Sequence, residues 1–259
     1  MKILIANRGE IAVRIIQACR DLGFPSVAIY SDRDREALHT RYADEAAYVG
    51  PTPASQSYLN IEAVLAAARK TRADAIHPGY GFLSENAAFA ERVEKAGFTF
   101  IGPDSHCIAL TGDKLAARKI AAQAGVPVLP GSEFRLGDPK TYTDIREKIG
   151  FPVLVKAVSG GGGRGIRLAR DEEEINQVVS SASREAKLAF GDDHLYIEKF
   201  IHPARHIEVQ ILGDGKGKVL TIGERECSIQ RRHQKLIEES PAPSLNRDVR
   251  SRIYEAARQ

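Results

Sequence analysis

The apolar positions of the first 110 or so residues follow two rhythms. Short unbroken runs, Lys2 to Ala6, Ser26 to Tyr30, Asp74 to His77 and Phe98 to Ile101, read as buried strands. Between them, Ile11, Ile15, Ala18 and Leu22, and later Ile61, Val64, Leu65 and Ala68, recur at helical spacing. Strands alternating with helices predict βαβ units and a mainly parallel sheet, an α/β class.

Beyond this region the pattern changes. Gly125 to Gly131, with Pro127 and Pro130, reads as a joint between domains. A helix is expected near Tyr142 to Ile149, and a strand at Pro152 to Lys156. A glycine run follows, then a strand at Gly165 to Leu168 and a long helix from Asp171 to about Leu188. Asp171, Glu172, Glu173 and Glu174 fall in that helix's first turn and suit the positive end of its dipole. Tyr196 to Glu198 reads as a strand end. Arg205 to Leu212 and Lys218 to Gly223 flank Gly213-Asp214-Gly215, a strong hairpin signal. Ser244 reads as the cap of a last helix through Val249, Ile253 and Ala257, and the helical pattern has no stop signal before Gln259.

Several polar segments exceed what such elements need. Ser159-Gly160-Gly161-Gly162-Gly163-Arg164-Gly165 lets backbone N–H groups approach an anion closely; the plainer reading is a surface loop. It is no Walker loop, because Gly-Lys-Ser/Thr is missing at its end. Nor is it a Rossmann turn, because a strand follows it rather than a helix. A glycine loop between two strands instead suits a flap over nucleotide phosphates. Lys156 ends the strand before it, where a solvated lysine is out of place and a phosphate-binding ammonium fits. Lys114, in Gly112-Asp113-Lys114, opens a helix and taken alone is a surface lysine. Glu198-Lys199-Phe200-Ile201 reads as a strand end or as a hinge offering backbone groups to a base. His206 and Glu208 share one strand face. Gln230 to Lys235 packs three cations and His233 into six residues: a solvated basic turn, a nucleic-acid patch or an anion site. Glu224, Glu226, Glu238 and Glu239 close by argue against nucleic acid. Asn7 to Glu10 and His77 to Asn86 both follow strands, at the carboxyl ends where parallel sheets hold ligands, although structured turns explain them equally well.

Composition narrows the class mainly by exclusion. The chain has 259 residues, 43% of them hydrophobic and 27% charged. At ~150 residues per domain that is roughly one or two domains. With 37 basic and 34 acidic residues the net charge is +3, which does not supply the concentrated basic face of a nucleic-acid binder. Apolar runs such as Ala63 to Ala68 fall far short of the ~18 residues of a membrane span, and the N-terminus carries no long apolar signal segment. The three cysteines, Cys19, Cys107 and Cys227, are odd in number and far apart, as free thiols in a reducing compartment would be.

Taken together, Ile5-Ala6-Asn7-Arg8-Gly9-Glu10-Ile11-Ala12, His77 to Asn86, Gly112-Asp113-Lys114, Lys156 to Gly165, and Glu226 to Lys235 followed by Glu238-Glu239-Ser240-Pro241-Ala242-Pro243 resemble the biotin carboxylase family of ATP-grasp enzymes. They run in order over nearly the whole chain. Ser159 departs from the pattern, since many relatives have a further glycine there. The resemblance implies a Rossmann-like preATP-grasp domain with a parallel sheet over residues 1–110. An ATP-grasp (α+β) domain would follow over 111–259, incomplete at its C-terminal end, with a lid at about 127–200. It implies that Lys114 and Lys156 contact ATP phosphates and that Gly162 and Gly163 lie on the flap. Glu198, Lys199, Phe200 and Ile201 would form the adenine hinge, and His206, Gln230 and His233 would complete the pocket. Lys235 would hold bicarbonate or the phosphoryl group in transit. The implied reaction is carboxylation of biotin through carboxyphosphate, with ATP and Mg2+. In the family the metal ligands, the catalytic arginine and the base match positions beyond Gln259, so no metal ligand is expected in this chain, and no turnover by it alone. The family's biotin is carried on a lysine flanked by methionines. Met1 is the only methionine here, so biotin is expected on a carrier protein or domain, with a carboxyltransferase as further partner. A homodimer in the cytoplasm, or in the mitochondrial matrix, is also implied. The rival readings are another ATP-grasp ligase, such as half of a carbamoyl-phosphate synthase, and a non-catalytic ATP-binding module.

Overall fold

Ile3, Leu4 and Ile5 are all buried, because the strand they form is covered on both faces. The structure, a computed structural model, describes residues 1–134, 139–158, 166–191, 193–231 and 234–259. Two compact units divide at Gly112 and Asp113.

In the first unit, β1 (Ile3–Ile5), α1 (Gly9–Asp21), β2 (Ser26–Ser31), α2 (Leu38–Tyr42), β3 (Glu45–Gly50), α3 (Ile61–Thr71), β4 (Ala75–His77), α4 (Ala87–Lys95), β5 (Thr99–Phe100) and α5 (Ser105–Gly112) follow in order. The strands form a parallel sheet in the order β3-β2-β1-β4-β5, with Leu4 beside Val27 and Ile76. Alternate residues feed two cores. Leu4, Val27, Ile29 and Ile76 pack with Val64, Leu65, Phe89 and Val93 of α3 and α4. Ile3, Ile5 and Ala75 pack with Ala12, Ile15, Ile16 and Cys19 of α1. Two covered faces explain why these strands read as unbroken apolar runs. Asn60 and Asn86 cap α3 and α4, accepting from the N–H groups of Ala63 at 3.2 Å and Phe89 at 2.9 Å. The periodicity anticipated β1, β2, β4, β5, α1 and α3. It missed β3, whose Glu45 and Tyr48 face solvent, and α4.

The second unit begins with α6 (Lys114–Gln123), capped by Asp113, whose carboxylate accepts from Leu115 at 2.9 Å and Ala116 at 3.0 Å. Then come β6 (Gly131–Phe134), α7 (Pro139–Asp144) continued by a π-helical turn Ile145–Ile149, β7 (Val153–Ala157), β8 (Arg167–Ala169), α8 (Glu172–Phe190) and β9 (Leu195–Lys199). These four strands form a sheet in the order β6-β9-β7-β8, antiparallel at every pairing. Val153, Val155 and Ala157 face Ile175, Val179, Ala182 and Ala186 of α8; the residues between them face away. Asp171 stands just before the first turn of α8 rather than in it and caps the helix, accepting from the Glu174 N–H at 2.9 Å. The Gly125–Pro130 segment links α6 to β6 inside this unit, not one unit to the other.

A second antiparallel sheet, β10 (Ile207–Gly213), β11 (Val219–Arg231) and β12 (Gln234–Glu239), is followed by α9 (Arg247–Arg258). The hairpin at Gly213-Asp214-Gly215 is present: Asp214 accepts from the N–H groups of Lys216 at 2.8 Å and Lys218 at 3.0 Å. The cap of α9 is Asn246, which accepts from Asp248 N–H at 2.8 Å, and not Ser244, which takes a positive φ two residues earlier.

Candidate functional site

At the carboxyl ends of β1 and β4 the two polar loops of the first unit are stitched together by Asn7. Its buried side-chain amide donates to the carbonyls of Pro78 at 2.7 Å and Tyr80 at 2.8 Å. Gly79 is required beside it: φ is +66°, and a Cβ would stand 2.9 Å from the Asn7 Nδ2. Arg8 pairs with Asp34 at 3.3 Å and lies over the Tyr58 ring, and the Tyr80 hydroxyl donates to Glu10. A groove of about 370 Å3 runs between Arg8, Glu10, Ile11, Tyr80 and Phe82. Burial, then the hydrogen bond to Asp34, pushes the Tyr58 hydroxyl up to about 12.

In the second unit, Lys156 sits near the end of β7 on the face turned away from α8. Its ammonium pairs with Glu198 of β9. Lys199 behaves differently: its ammonium donates to the carbonyls of Gly150 at 3.0 Å and Phe151 at 2.7 Å, which ties the chain before β7 to the end of β9. The Phe200 N–H donates to Pro152 O at 3.0 Å, Phe200 stacks on His202, and Ile201 is exposed. The segment Glu198 to Ile201 thus runs from the last two residues of β9 past the end of that strand. The Lys114 backbone opens α6. The glycine run with Gly162 and Gly163, and His233, lie outside the described residues, as does the side chain of Lys114.

On the three-stranded sheet, His206 and Gln230 meet: the Gln230 amide donates to His206 Nδ1 at 2.8 Å and to Cys227 O at 2.9 Å. Lys235 is not on a freely solvated turn. It opens β12 next to Gln234 and is held by Glu208, with Glu238 at 3.9 Å. Arg225 donates to the same Glu208 at 2.7 Å. Burial pushes the Glu208 carboxyl up, but the bonds from Lys235 and Arg225 outweigh it and hold it below its ordinary value. The Glu208 bond in turn raises Lys235, and burial raises the Cys227 thiol beside them. Lys235 therefore stays an ammonium and Cys227 a thiol at neutral pH.

Glu208, Cys227 and Glu238 bring ligand atoms within 4.8 Å of one another. They do not suit Mg2+, which needs free hard oxygens, because Arg225 and Lys235 already balance both carboxylates. Glu224 is held by Arg250 at 2.8 Å and by Tyr254, and Glu226 by Arg205 and Ser228. Among the described residues these four glutamates are thus engaged by cations and hydrogen-bond donors.

Sequence reasoning named His206, Gln230 and Lys235 but missed Glu208, Arg225 and Glu238 as the groups that hold Lys235. The hairpin signal could have suggested a partner for Glu208, yet the wrong one. Counting straight from Gly213 opposite Val219 puts Glu208 opposite Glu224. A bulge adds Ile222 to β11, and Glu208 lies opposite Arg225 instead.

A parallel α/β unit followed by a unit of antiparallel sheets, with Lys114 opening a helix and Lys156 near a strand end, is the arrangement of the ATP-grasp class of nucleotide-binding ligases. Residues 1–108 match the model of the biotin carboxylase N-terminal domain, and residues 113–259 that of the carbamoyl-phosphate synthase L chain ATP-binding domain. The chain belongs to the biotin carboxylase family. It is 51% identical over 254 residues to the biotin carboxylase of Pseudomonas aeruginosa, covering 98% of this chain and 57% of that protein. The biotin carboxylase–β-γ-ATP complex from Campylobacter jejuni superposes with a TM-score of 0.93 at 48% identity, over 99% of this chain and 58% of that one. The biotin carboxylase domain dimer of the Hydrogenobacter thermophilus 2-oxoglutarate carboxylase, solved with MgADP, ADP and bicarbonate, gives 0.89 at 48% identity, over 99% and 57%. The chain thus spans a little over half the length of these proteins. The match of residues 1–108 favours this family over a carbamoyl-phosphate synthase half. Among the described residues no helix is long and apolar enough to cross a membrane.

Proposed function

We infer that this chain supplies the nucleotide- and bicarbonate-holding part of a biotin carboxylase. The observation that carries the reading is the position of Lys156, near the end of a buried antiparallel strand, turned to the sheet face away from α8 and followed in sequence by the glycine run. Lys114 and Lys156 bind the ATP phosphates, and Gly162 and Gly163 close over them as part of a lid spanning about residues 127–200. Glu198 to Ile201 take the adenine through their backbone, with His206, Gln230 and His233 completing the pocket. Lys235 binds bicarbonate or the phosphoryl group in transfer. Bicarbonate oxygen attacks the γ-phosphorus and the bond to ADP breaks, giving carboxyphosphate. Carboxyphosphate then releases phosphate and carbon dioxide beside a deprotonated biotin nitrogen. Lysine ammoniums suit the first step, because phosphoryl transfer is chiefly positioning and charge neutralisation. Mg2+, when bound, would neutralise phosphate charge, and the glutamates described above are not the residues that would hold it. Carrier-borne biotin and a carboxyltransferase are the partners, in a homodimeric cytoplasmic assembly serving an acyl-CoA carboxylase, such as the acetyl-CoA carboxylase of fatty acid synthesis, or a pyruvate carboxylase.

Two measurements test this. ADP titrated calorimetrically into the 259-residue chain binds, and Lys156→Ala weakens it by about tenfold or more, as losing a charge-assisted contact should. No binding by the unaltered chain overturns the reading. Bicarbonate-dependent ADP release with free biotin stays at background for this chain alone; clear turnover would show that Lys235 and the groups around it suffice.

A further inference from the structure

The sheet β6-β9-β7-β8 has one face closed by α8; the other carries Leu154, Lys156, Glu198 and Tyr196, the last buried with Arg118 of α6 over its ring. Lys156 lies opposite Tyr196 and Leu154 opposite Glu198, so Lys156 and Glu198 are diagonal neighbours across β7 and β9. Their side chains form an ion pair and are only 25% and 15% exposed. Nearby cations are otherwise engaged. Lys199 is spent on two carbonyls, and the Arg118 guanidinium lies over the Tyr196 ring at 5.4 Å. Among the described residues Lys156 is the one salt-bridge partner of Glu198.

This pairing bears on how a phosphate reaches Lys156. A half-buried ammonium already neutralised by a carboxylate does not offer a free positive charge. A phosphate takes it only by displacing the carboxylate, and a carboxylate left without its partner at such low exposure is unfavourable. The exchange therefore opposes phosphate binding, and a chain of several phosphate charges overcomes it better than one.

We propose that Glu198 is a positioning residue that holds Lys156 on the sheet when no nucleotide is bound and gives it up to the incoming polyphosphate. The inference rests on Lys156 being a phosphate contact and adds the group with which the phosphate competes. Its ligand class is the polyphosphate tail of a nucleoside di- or triphosphate.

The test uses inorganic tripolyphosphate, which has no base to engage the backbone of Glu198 to Ile201, titrated calorimetrically into the 259-residue chain. Glu198→Gln keeps the shape and removes the charge. It is expected to tighten tripolyphosphate binding by about fivefold, the scale of one partly exposed ion pair. In a Lys156→Ala background the same change is expected to have no effect. That background separates exchange from general repulsion between Glu198 and a polyanion, which would tighten binding whether or not Lys156 is present. Equal tightening in both backgrounds overturns the proposal, as does unchanged or undetectable binding by the Glu198→Gln chain. Glu198→Asp, which keeps the charge but shortens the reach, gives an intermediate gain and serves if Glu198→Gln unfolds. ADP separates this inference from the functional reading. ADP binding insensitive to Lys156→Ala removes the reading itself. ADP binding weakened by Lys156→Ala, with tripolyphosphate indifferent to Glu198, removes only the exchange.

Discussion

The two units handle charge in opposite ways. In the first, the five-stranded parallel sheet is wrapped by helices, and its central strands bury nearly every side chain. Its polar groups gather at the carboxyl ends of β1 and β4, where Asn7 holds the loops together. In the second, the three-stranded sheet carries its charges on the strands themselves. Glu208, Arg225, Lys235 and Glu238 form one network, and Glu224 with Arg250 and Tyr254 another. Leu212, Leu220, Ile222 and Ile237 on that sheet are exposed. The first unit keeps its shape through apolar burial, which tolerates substitution of similar volume. The second depends on register, because a charge network fails when one member moves to the other face.

The largest expected effect tests register directly. Inserting one alanine between Ile222 and Gly223 moves every later residue of β11 one place along β10 and puts Glu208 opposite Glu224, two like charges, in place of Arg225. The amides of β10–β12 should then exchange with solvent far faster, with a loss of about 4 kcal/mol or more, because the shift also pulls the buried Glu224 and Glu226 away from Arg250 and Arg205. Unchanged protection there would end the claim that the register set by the bulge organises the sheet. Next in size is Ile76→Ala in the first unit, at a fully buried position, expected to cost about 3 kcal/mol in denaturant unfolding. Leu220→Ala at an exposed position should stay within about 0.5 kcal/mol. Similar losses at both sites would erase the contrast between the units. Asn86→Ala removes the cap of α4 and should cost about 1 kcal/mol, readable as a lower Tm.

The smallest effect, and the one that sharpens the contrast, is the response to acid. Burial lowers His39 and His77 of the first unit below the ordinary 6.5. An unfolded chain takes up protons on these histidines below that value while the folded unit refuses them, so stability declines as pH falls from about 6.5 toward the folded values. In the second unit the Tyr254 hydrogen bond, then Arg250, holds Glu224 below its ordinary 4.5, and Arg205 does the same for Glu226. Their contribution is complete above about 4.5 and is lost as pH falls through the folded values. Hydrogen exchange followed from pH 7 downward should therefore show protection fading first in β1–β5 and only later in β10–β12. The reverse order would contradict the assignment. Replacing His39 by Asn should flatten the early phase.

Much of this molecule is legible along the chain. The apolar runs around Leu4, Val27 and Ile76 announce a sheet buried on both faces, since only that arrangement uses unbroken hydrophobic strands. Asp171 followed by three glutamates announces the start of α8, and Gly213-Asp214-Gly215 its hairpin. These are local signals, set by capping, turns and periodicity. The edge strand β3 was not legible, because its Glu45 and Tyr48 dilute the pattern, and neither was β12, hidden in what reads as a basic turn.

At the candidate site the same line divides what each level decided. The residue types in sequence single out Lys156 and the glycine run as candidates for a phosphate site, because phosphate chemistry calls for cations and free backbone amides, whereas Lys114 and Lys235 enter through the family resemblance. Sequence leaves the partners of those lysines undetermined. Glu198 reaches Lys156 only because β9 pairs with β7 across 42 residues of chain. Glu208 reaches Lys235 across 27, and Arg225 joins them only because one extra residue, Ile222, shifts the register. A side chain's type is local, but the charge it faces depends on strand pairing and register, and those are settled when the whole sheet packs.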